Sequence, residues 1–199
     1  MFSSRKLSAV SHASRVLSFL VLLVCFFLPA TARPPQSALD LDGKSVDPIK
    51  SSQGKITVLI FVRTDCPISN RYAPLLQRMS DSFSTKAKFW LVYPDKKTTA
   101  SEITAHLKQF HSSISTLRDP DHSLVKLAGA TITPEAAVFD AQGRLLYHGR
   151  IDNWYEDPGR SRPAATTHEL QNVVETAVDG KPSPLATAPA VGCYISDLE

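Results

Sequence analysis

The sequence has few cysteines, and none of them is part of a short paired motif. Cys25, Cys66 and Cys193 are the three cysteines among 199 residues, so neither C-x-x-C nor C-x-x-x-C occurs. The histidines beyond the first 32 residues show no ligand spacing. A site built from Cys66, Cys193 and His148 is conceivable, but nothing specific supports it, and we expect no metal.

Beyond residue 32 the chain also lacks an excess of charge of either sign. The whole sequence has a net charge of +3, and Arg5, Lys6 and Arg15 in the first 32 residues account for it. The remaining residues include 19 basic and 19 acidic side chains. There is therefore no electrostatic basis for binding nucleic acid.

Residues 1–32 have the pattern of a signal peptide. A basic start is followed by the apolar run Val16–Leu28, which is short for a membrane span, and Ala30-Thr31-Ala32 is a small-x-small cleavage site. Cys25 follows Val24, where a lipoprotein signal would have a small residue, so no lipid anchor is expected. We predict cleavage near Ala32, export to the periplasm or medium, and membrane contact only during export, with an uncleaved anchor as the alternative.

The most informative stretch is an apolar strand that leads into a cysteine. Ile56–Val62 consists of Val, Ile, Leu, Phe and Thr, a composition typical of a strand buried on both faces. Apolar residues then recur at helical spacing to Phe83, so a helix should begin near Cys66. The first turn of a helix stabilises a thiolate through its free N–H groups and dipole. Cys66 is thus a candidate reactive thiol.

This stretch resembles the thioredoxin superfamily, in particular its redoxin (alkyl hydroperoxide reductase and thiol-specific antioxidant) type. Members have a strand, C-x-x-C or a variant, and a helix with proline eight residues beyond the first cysteine. Here Cys66-Pro-Ile-Ser69 and Ala73-Pro74 match that pattern. The resemblance covers roughly residues 37–180. It implies an α/β thioredoxin-like fold, a central mixed β-sheet flanked by helices, with an N-terminal extension and a Pro-rich C-terminal tail.

The rest of the sequence is consistent with alternating strands and helices. Capping-box patterns predict helix starts at Thr99 and Thr166, and Asp121 is a candidate cap for a short helix. We predict a thioredoxin-like domain over residues 33–180 and a tail over 181–199 that carries Cys193.

A second landmark of the resemblance is the Thr133-Pro134 pair at the head of an apolar strand. By itself an X–Pro bond is expected to be trans, but the resemblance implies the cis-proline loop that packs beside the active cysteine. Thr133 and Pro134 would then shape the substrate groove. Thr64 and Ser69 would be the nearest hydrogen-bond partners of Cys66.

The chemistry implied by the resemblance is thiol–disulfide exchange with Cys66 as nucleophile. Ser69 stands where a resolving cysteine normally would, and Ile60 stands where thioredoxins bury a carboxylate. Cys193 is then a candidate for a distant resolving cysteine. The partners would be a protein thiol or disulfide, or a peroxide, together with an external electron donor, and no organic cofactor is implied.

Two other functions stay open at this stage. A peroxiredoxin-like peroxidase would need Thr three and Pro seven residues ahead of the cysteine, but Arg63 and Leu59 stand there and Thr64 is displaced by one residue. A non-catalytic binding module with a structural Cys66–Cys193 disulfide is the second alternative. In that case the long loop containing Trp154 would be the place to look for binding, although Trp154 is as well suited to anchoring the loop.

Overall fold

The computed structural model describes residues 36–181, 186–196 and 198. The predicted signal peptide lies outside these residues. The strands are β1 (Ala38–Leu39), β2 (Ser45–Val46), β3 (Ile56–Phe61), β4 (Ala87–Tyr93), β5 (Ser115–Arg118), β6 (Ile132–Thr133), β7 (Glu135–Phe139), β8 (Leu145–Gly149), β9 (Tyr155–Asp157), β10 (Arg160–Ser161), β11 (Ala186–Ala188) and β12 (Cys193–Tyr194). The helices are α1 (Pro48–Ser51), α2 (Pro67–Phe83), α3 (Ala100–Gln109), α4 (Ser123–Ala128) and α5 (Glu169–Val178).

The main sheet is mixed, as the resemblance implies. Within the described residues its strand order is β11-β8-β7-β3-β4-β5-β1-β2. Strands β3, β4 and β5 are parallel, and β7 runs antiparallel to β3. Strand β8 returns antiparallel to β7, and the β1–β2 hairpin turns at Gly43, whose φ is 82°. This arrangement confirms the predicted α/β fold.

Strand β3 is buried along its whole length because helices cover both faces of the sheet. Its side chains alternate between two apolar clusters, as the pleat of a strand requires. Val58 and Ile60 belong to the cluster that contains residues of α2, α3 and α5, while Leu59 and Phe61 belong to the cluster that contains α4. The prediction of a doubly buried central strand is confirmed.

The start of α4 differs from the sequence-based expectation. Asp121 is exposed and does not cap the helix, whereas the carboxylate of Asp119 accepts hydrogen bonds from the backbone N–H groups of Ser123, Leu124 and Val125 at 2.9 Å each. Asp119 is buried and lies directly after β5. The prediction placed the cap on the wrong aspartate because the chain makes an extra turn before the helix.

Replacing Asp119 by Ala should lower the free energy of unfolding by roughly 2–3 kcal/mol, because three N–H groups at the helix start lose their acceptor. Asp119→Asn should lose less, since one acceptor oxygen remains. Asp121→Ala is the matched control and should change stability by less than about 0.5 kcal/mol. Urea denaturation measures all three variants. Equal stability of Asp119→Ala and Asp121→Ala would contradict the assignment.

The prediction of a capping box at Thr166 is also wrong. Helix α5 begins at Glu169, and its N-cap residue His168 makes no side-chain capping bond. The Glu169 carboxylate instead accepts from the Thr167 hydroxyl at 2.7 Å and from the guanidinium of Arg150. By contrast, the capping box at Thr99 forms as predicted.

The described part of the C-terminal segment, residues 186–196, contains two strands. Strand β11 pairs parallel with β8, and β12 pairs antiparallel with β6. The approach of β11 is close, because a Cβ added at Gly149 would lie 2.3 Å from the Ala188 carbonyl oxygen. The segment therefore crosses from the edge of the sheet to the loop that precedes β7.

Candidate active site

Cys66 occupies the junction of β3 and α2. It is the N-cap residue of α2, with an extended backbone conformation, and Pro67 begins the helix. The Cys66 side chain is fully buried. The prediction that a helix begins at the cysteine is therefore confirmed, and the sulfur lies where the free N–H groups of the first turn converge.

The structure brings Cys193 next to Cys66. Their Sγ atoms are 2.8 Å apart, and both cysteines are free thiols. Cys193 is only partly buried, so the two sulfurs differ in their access to solvent. Residues separated by 127 positions in the sequence thus form a dithiol pair.

Strand β6 and the following proline form a wall beside these two cysteines. The Thr133–Pro134 peptide bond is cis, as the resemblance implies. The Cys66 thiol can donate to the Thr133 carbonyl oxygen at 3.2 Å, and the Thr133 hydroxyl donates to the Cys193 carbonyl oxygen at 3.2 Å. Thr133 therefore contacts both cysteines, whereas Ser69 approaches the site from the first turn of α2.

Gly192 and Arg63 hold the C-terminal segment in this position, a role that the sequence did not indicate for either residue. A Cβ added at Gly192 would lie 2.0 Å from the Thr133 carbonyl oxygen, so no larger residue fits between the strands without a shift of the backbone. Arg63 donates to the Tyr194 carbonyl oxygen at 3.2 Å while its guanidinium also binds Asp65. A glycine directly before the last cysteine was the signal available in the sequence.

The surroundings favour a thiolate on Cys66 over one on Cys193. Burial opposes ionisation of Cys66, but the Cys193 thiol, the Ser69 hydroxyl and the N–H groups of Ser69 and Ile68 together lower its pKa below the usual value. Burial raises the pKa of Cys193 to about 11, and the adjacent Cys66 sulfur acts in the same direction. As the pH rises, Cys66 is therefore the first of the two cysteines to lose its proton.

The Ser69 hydroxyl favours the Cys66 thiolate from a position that falls short of a standard hydrogen bond. The hydroxyl is buried and makes no hydrogen bond of standard geometry with any described group, yet it is among the groups that lower the pKa of Cys66. Ser69 also lines a small cavity of about 20 Å³, which is otherwise largely apolar.

Replacing Ser69 by Ala should therefore raise the pKa of Cys66, because the favourable hydroxyl dipole is lost while the burial remains. The midpoint of Cys66 ionisation is measured by following the ultraviolet absorbance of the thiolate in the reduced protein as the pH is raised. The titration is kept below the pH range in which tyrosines ionise. Ser52→Ala is a control, since Ser52 is equally buried but donates to the Pro48 carbonyl oxygen at 2.7 Å. An unchanged midpoint in Ser69→Ala would show that Cys193 and the backbone N–H groups lower the pKa of Cys66 without a contribution from Ser69.

Thr64 does not take the place predicted for it beside the sulfur. The structure records its backbone carbonyl as an acceptor from Asn70 Nδ2 at 3.2 Å, and its hydroxyl has no hydrogen bond with a described residue. The Asn70 amide oxygen in turn contacts His106 Nε2 at 2.8 Å. Thr64 thus helps to hold the turn before Cys66 in place.

A buried carboxylate that the sequence analysis did not consider lies directly after Pro134. Glu135 Oε2 accepts from the N–H groups of Thr131 and Ile132 at 2.8 and 3.2 Å, and its Oε1 lies 2.6 Å from His148 Nε2 without hydrogen-bond alignment. Glu135 therefore fixes the strand on which Cys193 rests. The sequence signal for Glu135 was a charged residue at the head of an apolar strand.

The Trp154 loop is anchored to the helical layer. The Trp154 ring packs edge-on against Tyr72 with 5.6 Å between centroids, and the Arg71 guanidinium lies 5.1 Å from its centroid. Trp154 Nε1 donates to the Arg162 carbonyl oxygen at 2.9 Å. These contacts favour the anchoring role over a cover for the cysteines.

Neither a metal cluster nor a membrane-spanning helix is found in the part of the chain that the structure describes. No group of three or more His, Cys, Asp or Glu side chains there has the arrangement of a metal site. None of the described helices combines the length and apolar character needed to cross a bilayer.

Comparisons with known proteins agree with this architecture. Residues 54–145 match the family model described as thioredoxin-like. No curated protein matches the sequence.

Among solved structures, an uncharacterised conserved protein from Geobacillus kaustophilus is 20% identical, with a TM-score of 0.69 over 81% of this chain and 88% of that one. A secreted Mycobacterium tuberculosis disulfide oxidoreductase homologous to E. coli DsbE is also 20% identical, with a TM-score of 0.53 over 71% and 96%. The exposed lipoprotein thioredoxin of Streptococcus pneumoniae is 16% identical, with a TM-score of 0.51 over 72% and 97%. At these identities the likeness concerns the fold. With the family match, it shows that the chain has a thioredoxin-like fold and that residues 54–145 resemble a thioredoxin-like domain.

Proposed function

We propose that this protein is an exported thiol–disulfide oxidoreductase in which Cys66 is the nucleophile and Cys193 resolves the mixed disulfide. The observation that carries the proposal is the 2.8 Å contact between the two sulfurs at the start of α2. An ionised Cys66 attacks a substrate disulfide, and Cys193 then displaces the substrate thiol and closes the Cys66–Cys193 bond. The substrate would be a protein disulfide or thiol.

The residues beside the two cysteines would bind the substrate and favour the thiolate. Thr133 and Pro134 would contact the substrate beside Cys66, and the Ser69 dipole favours the attacking thiolate. Thr64 would act indirectly, by supporting the turn that carries Cys66. An external electron donor restores the reduced pair, and the cycle needs no organic cofactor.

Export is part of the proposal because of two features of the sequence. The leader over residues 1–32 has the pattern of a signal peptide. Cleavage would leave Cys66 and Cys193 as the two cysteines of the mature chain, and persistent disulfide chemistry is characteristic of oxidising compartments.

Thiol–disulfide exchange fits the site better than peroxide reduction. A peroxidase needs donors that bind the peroxide oxygens next to the sulfur. Arg63, which stands where a peroxiredoxin has its threonine, directs its guanidinium to Asp65 and to the Tyr194 carbonyl oxygen. The Thr64 hydroxyl has no hydrogen bond to Cys66.

The test is a redox titration of the full chain in thiol–disulfide buffers, with peptide mapping that separates Cys25, Cys66 and Cys193. A Cys66–Cys193 disulfide with a reduction potential of about −270 to −120 mV would place the pair among catalytic dithiols. A potential below about −300 mV is typical of structural disulfides and would favour the binding-module alternative. Failure to form the bond at any potential would contradict both the proposed oxidoreductase and the binding module with a structural disulfide.

A further inference from the structure

The two sulfurs face different surroundings, and this difference determines which of them an external thiol can reach. Cys66 is fully buried, with Thr133 and Cys193 in contact with its sulfur. Cys193 is partly exposed and lies on β12, which pairs with β6. Within the described residues, β12 therefore covers Cys66 from the side of the C-terminal segment.

Exchange at a disulfide requires the attacking thiolate to approach along the line of the S–S bond, opposite to the leaving sulfur. Attack on Cys66 in the oxidised pair is opposed by the full burial of its side chain. Attack on Cys193 comes from the far side of β12, where the chain is partly exposed. Access is one of the factors that determine which sulfur of a disulfide reacts.

The charges around the pair also favour attack at Cys193, with Cys66 as the leaving thiolate. Arg63 interacts electrostatically with Cys193 and holds the carbonyl of Tyr194, so a cation lies close to the accessible sulfur. Cys66 lies at the first turn of a 17-residue helix, whose N–H groups stabilise a departing thiolate. A sulfur that is stable as a thiolate is the better leaving group.

We propose that the electron donor enters at Cys193 rather than at Cys66, so that the two half-reactions use different sulfurs of the pair. This inference rests on the proposed function, and it specifies how the oxidised form is reduced again. The donor is a dithiol or two equivalents of a monothiol, and its thiolate attacks Cys193 Sγ.

Reduction of the Cys66–Cys193 disulfide takes two exchange steps. The donor sulfur forms a bond to Cys193, the Cys66–Cys193 bond breaks, and its electron pair remains on Cys66 as a thiolate. A second donor thiolate then attacks the donor sulfur of the mixed disulfide. The donor leaves as a disulfide, Cys193 takes a proton from water, and the pair has gained two electrons.

The test uses oxidised full-length protein and glutathione. Samples are quenched with acid at short reaction times, alkylated and mapped, so that the first cysteine to carry glutathione is identified. We expect at least about ten times more glutathione on Cys193 than on Cys66, and alkylation of Cys66 in the same molecules. Cys66→Ser is the control, because without the disulfide neither site should acquire glutathione.

Each other outcome overturns the inference. Glutathione found first on Cys66, or equally on both cysteines, would overturn it and leave the proposed oxidoreductase function intact. A disulfide that forms but does not react with glutathione would also overturn it. If no Cys66–Cys193 disulfide is present before glutathione is added, both the inference and the proposed function fail.

Discussion

Replacing Cys66 by Ser is expected to lower the rate of catalysed disulfide reduction by at least about a thousandfold, because the variant loses the nucleophile and with it the covalent route. Serine cannot replace the thiolate, since its hydroxyl stays protonated at neutral pH. The measurement is turnover of a low-molecular-weight disulfide with dithiothreitol as donor. The variant should remain folded, because Ser is close to Cys in size.

Two controls make this result specific. Cys25→Ser should leave turnover unchanged, because Cys25 lies in the predicted leader. Circular dichroism of Cys66→Ser should match that of the parent protein. Turnover at the parent level in folded Cys66→Ser would show that Cys66 is not the nucleophile, and the proposed function would have to be abandoned.

The second large effect is expected at Gly192. Replacing Gly192 by Ala puts a methyl group 2.0 Å from the Thr133 carbonyl oxygen, so β12 and β6 must move apart. Overpacking of this kind costs about 1–3 kcal/mol, which corresponds to a roughly 5- to 150-fold lower population of the paired strands. Closure of the Cys66–Cys193 disulfide after oxidation should slow by a similar factor.

The same variant should make Cys66 easier to alkylate, because displacement of β12 uncovers its sulfur. Quenched alkylation with mass spectrometry measures both effects in one experiment. Tyr194→Ala is the matched control, since the Tyr194 side chain is 76% exposed and only its backbone carbonyl binds Arg63. If Gly192→Ala closed the disulfide as fast as Tyr194→Ala, the close approach would have no role in positioning Cys193.

The fold could be predicted from the sequence because its main signals are local. The run of apolar residues in Ile56–Phe61 identifies a doubly buried strand without knowledge of its neighbours. The Thr99–Glu102 pattern identifies a helix start because both capping bonds span three residues. The place of Cys66 follows from the same local reasoning.

Predictions failed where a contact depends on the exact path of a turn. Asp119 and Asp121 are both suitable caps by residue type, and the turn before α4 decides between them. At α5 the Thr166–Glu169 pattern is present, but the Arg150 guanidinium and the Thr167 hydroxyl bind Glu169 instead. Contacts from Arg150, which follows β8, and from the neighbouring Thr167 therefore override a pattern of four residues.

The candidate site was predictable in part. Cys66, Thr133 and Pro134 are found together because the resemblance fixes their relative positions. The roles of Gly192, Arg63 and Glu135 depend on the course of the C-terminal segment over β6, which no local pattern encodes. The role of Cys193 as resolving cysteine stays a prediction, now with a geometry that permits it.

The pairing of β11 with β8 has a consequence for solubility. Without β11, the five residues of β8 would form the outer edge of the sheet and present their free N–H and C=O groups to other molecules. Such an edge is a template for association between chains. With β11 in place, three residues form that edge instead. Proteolytic loss of the C-terminal segment would therefore remove Cys193 and also promote aggregation of what remains.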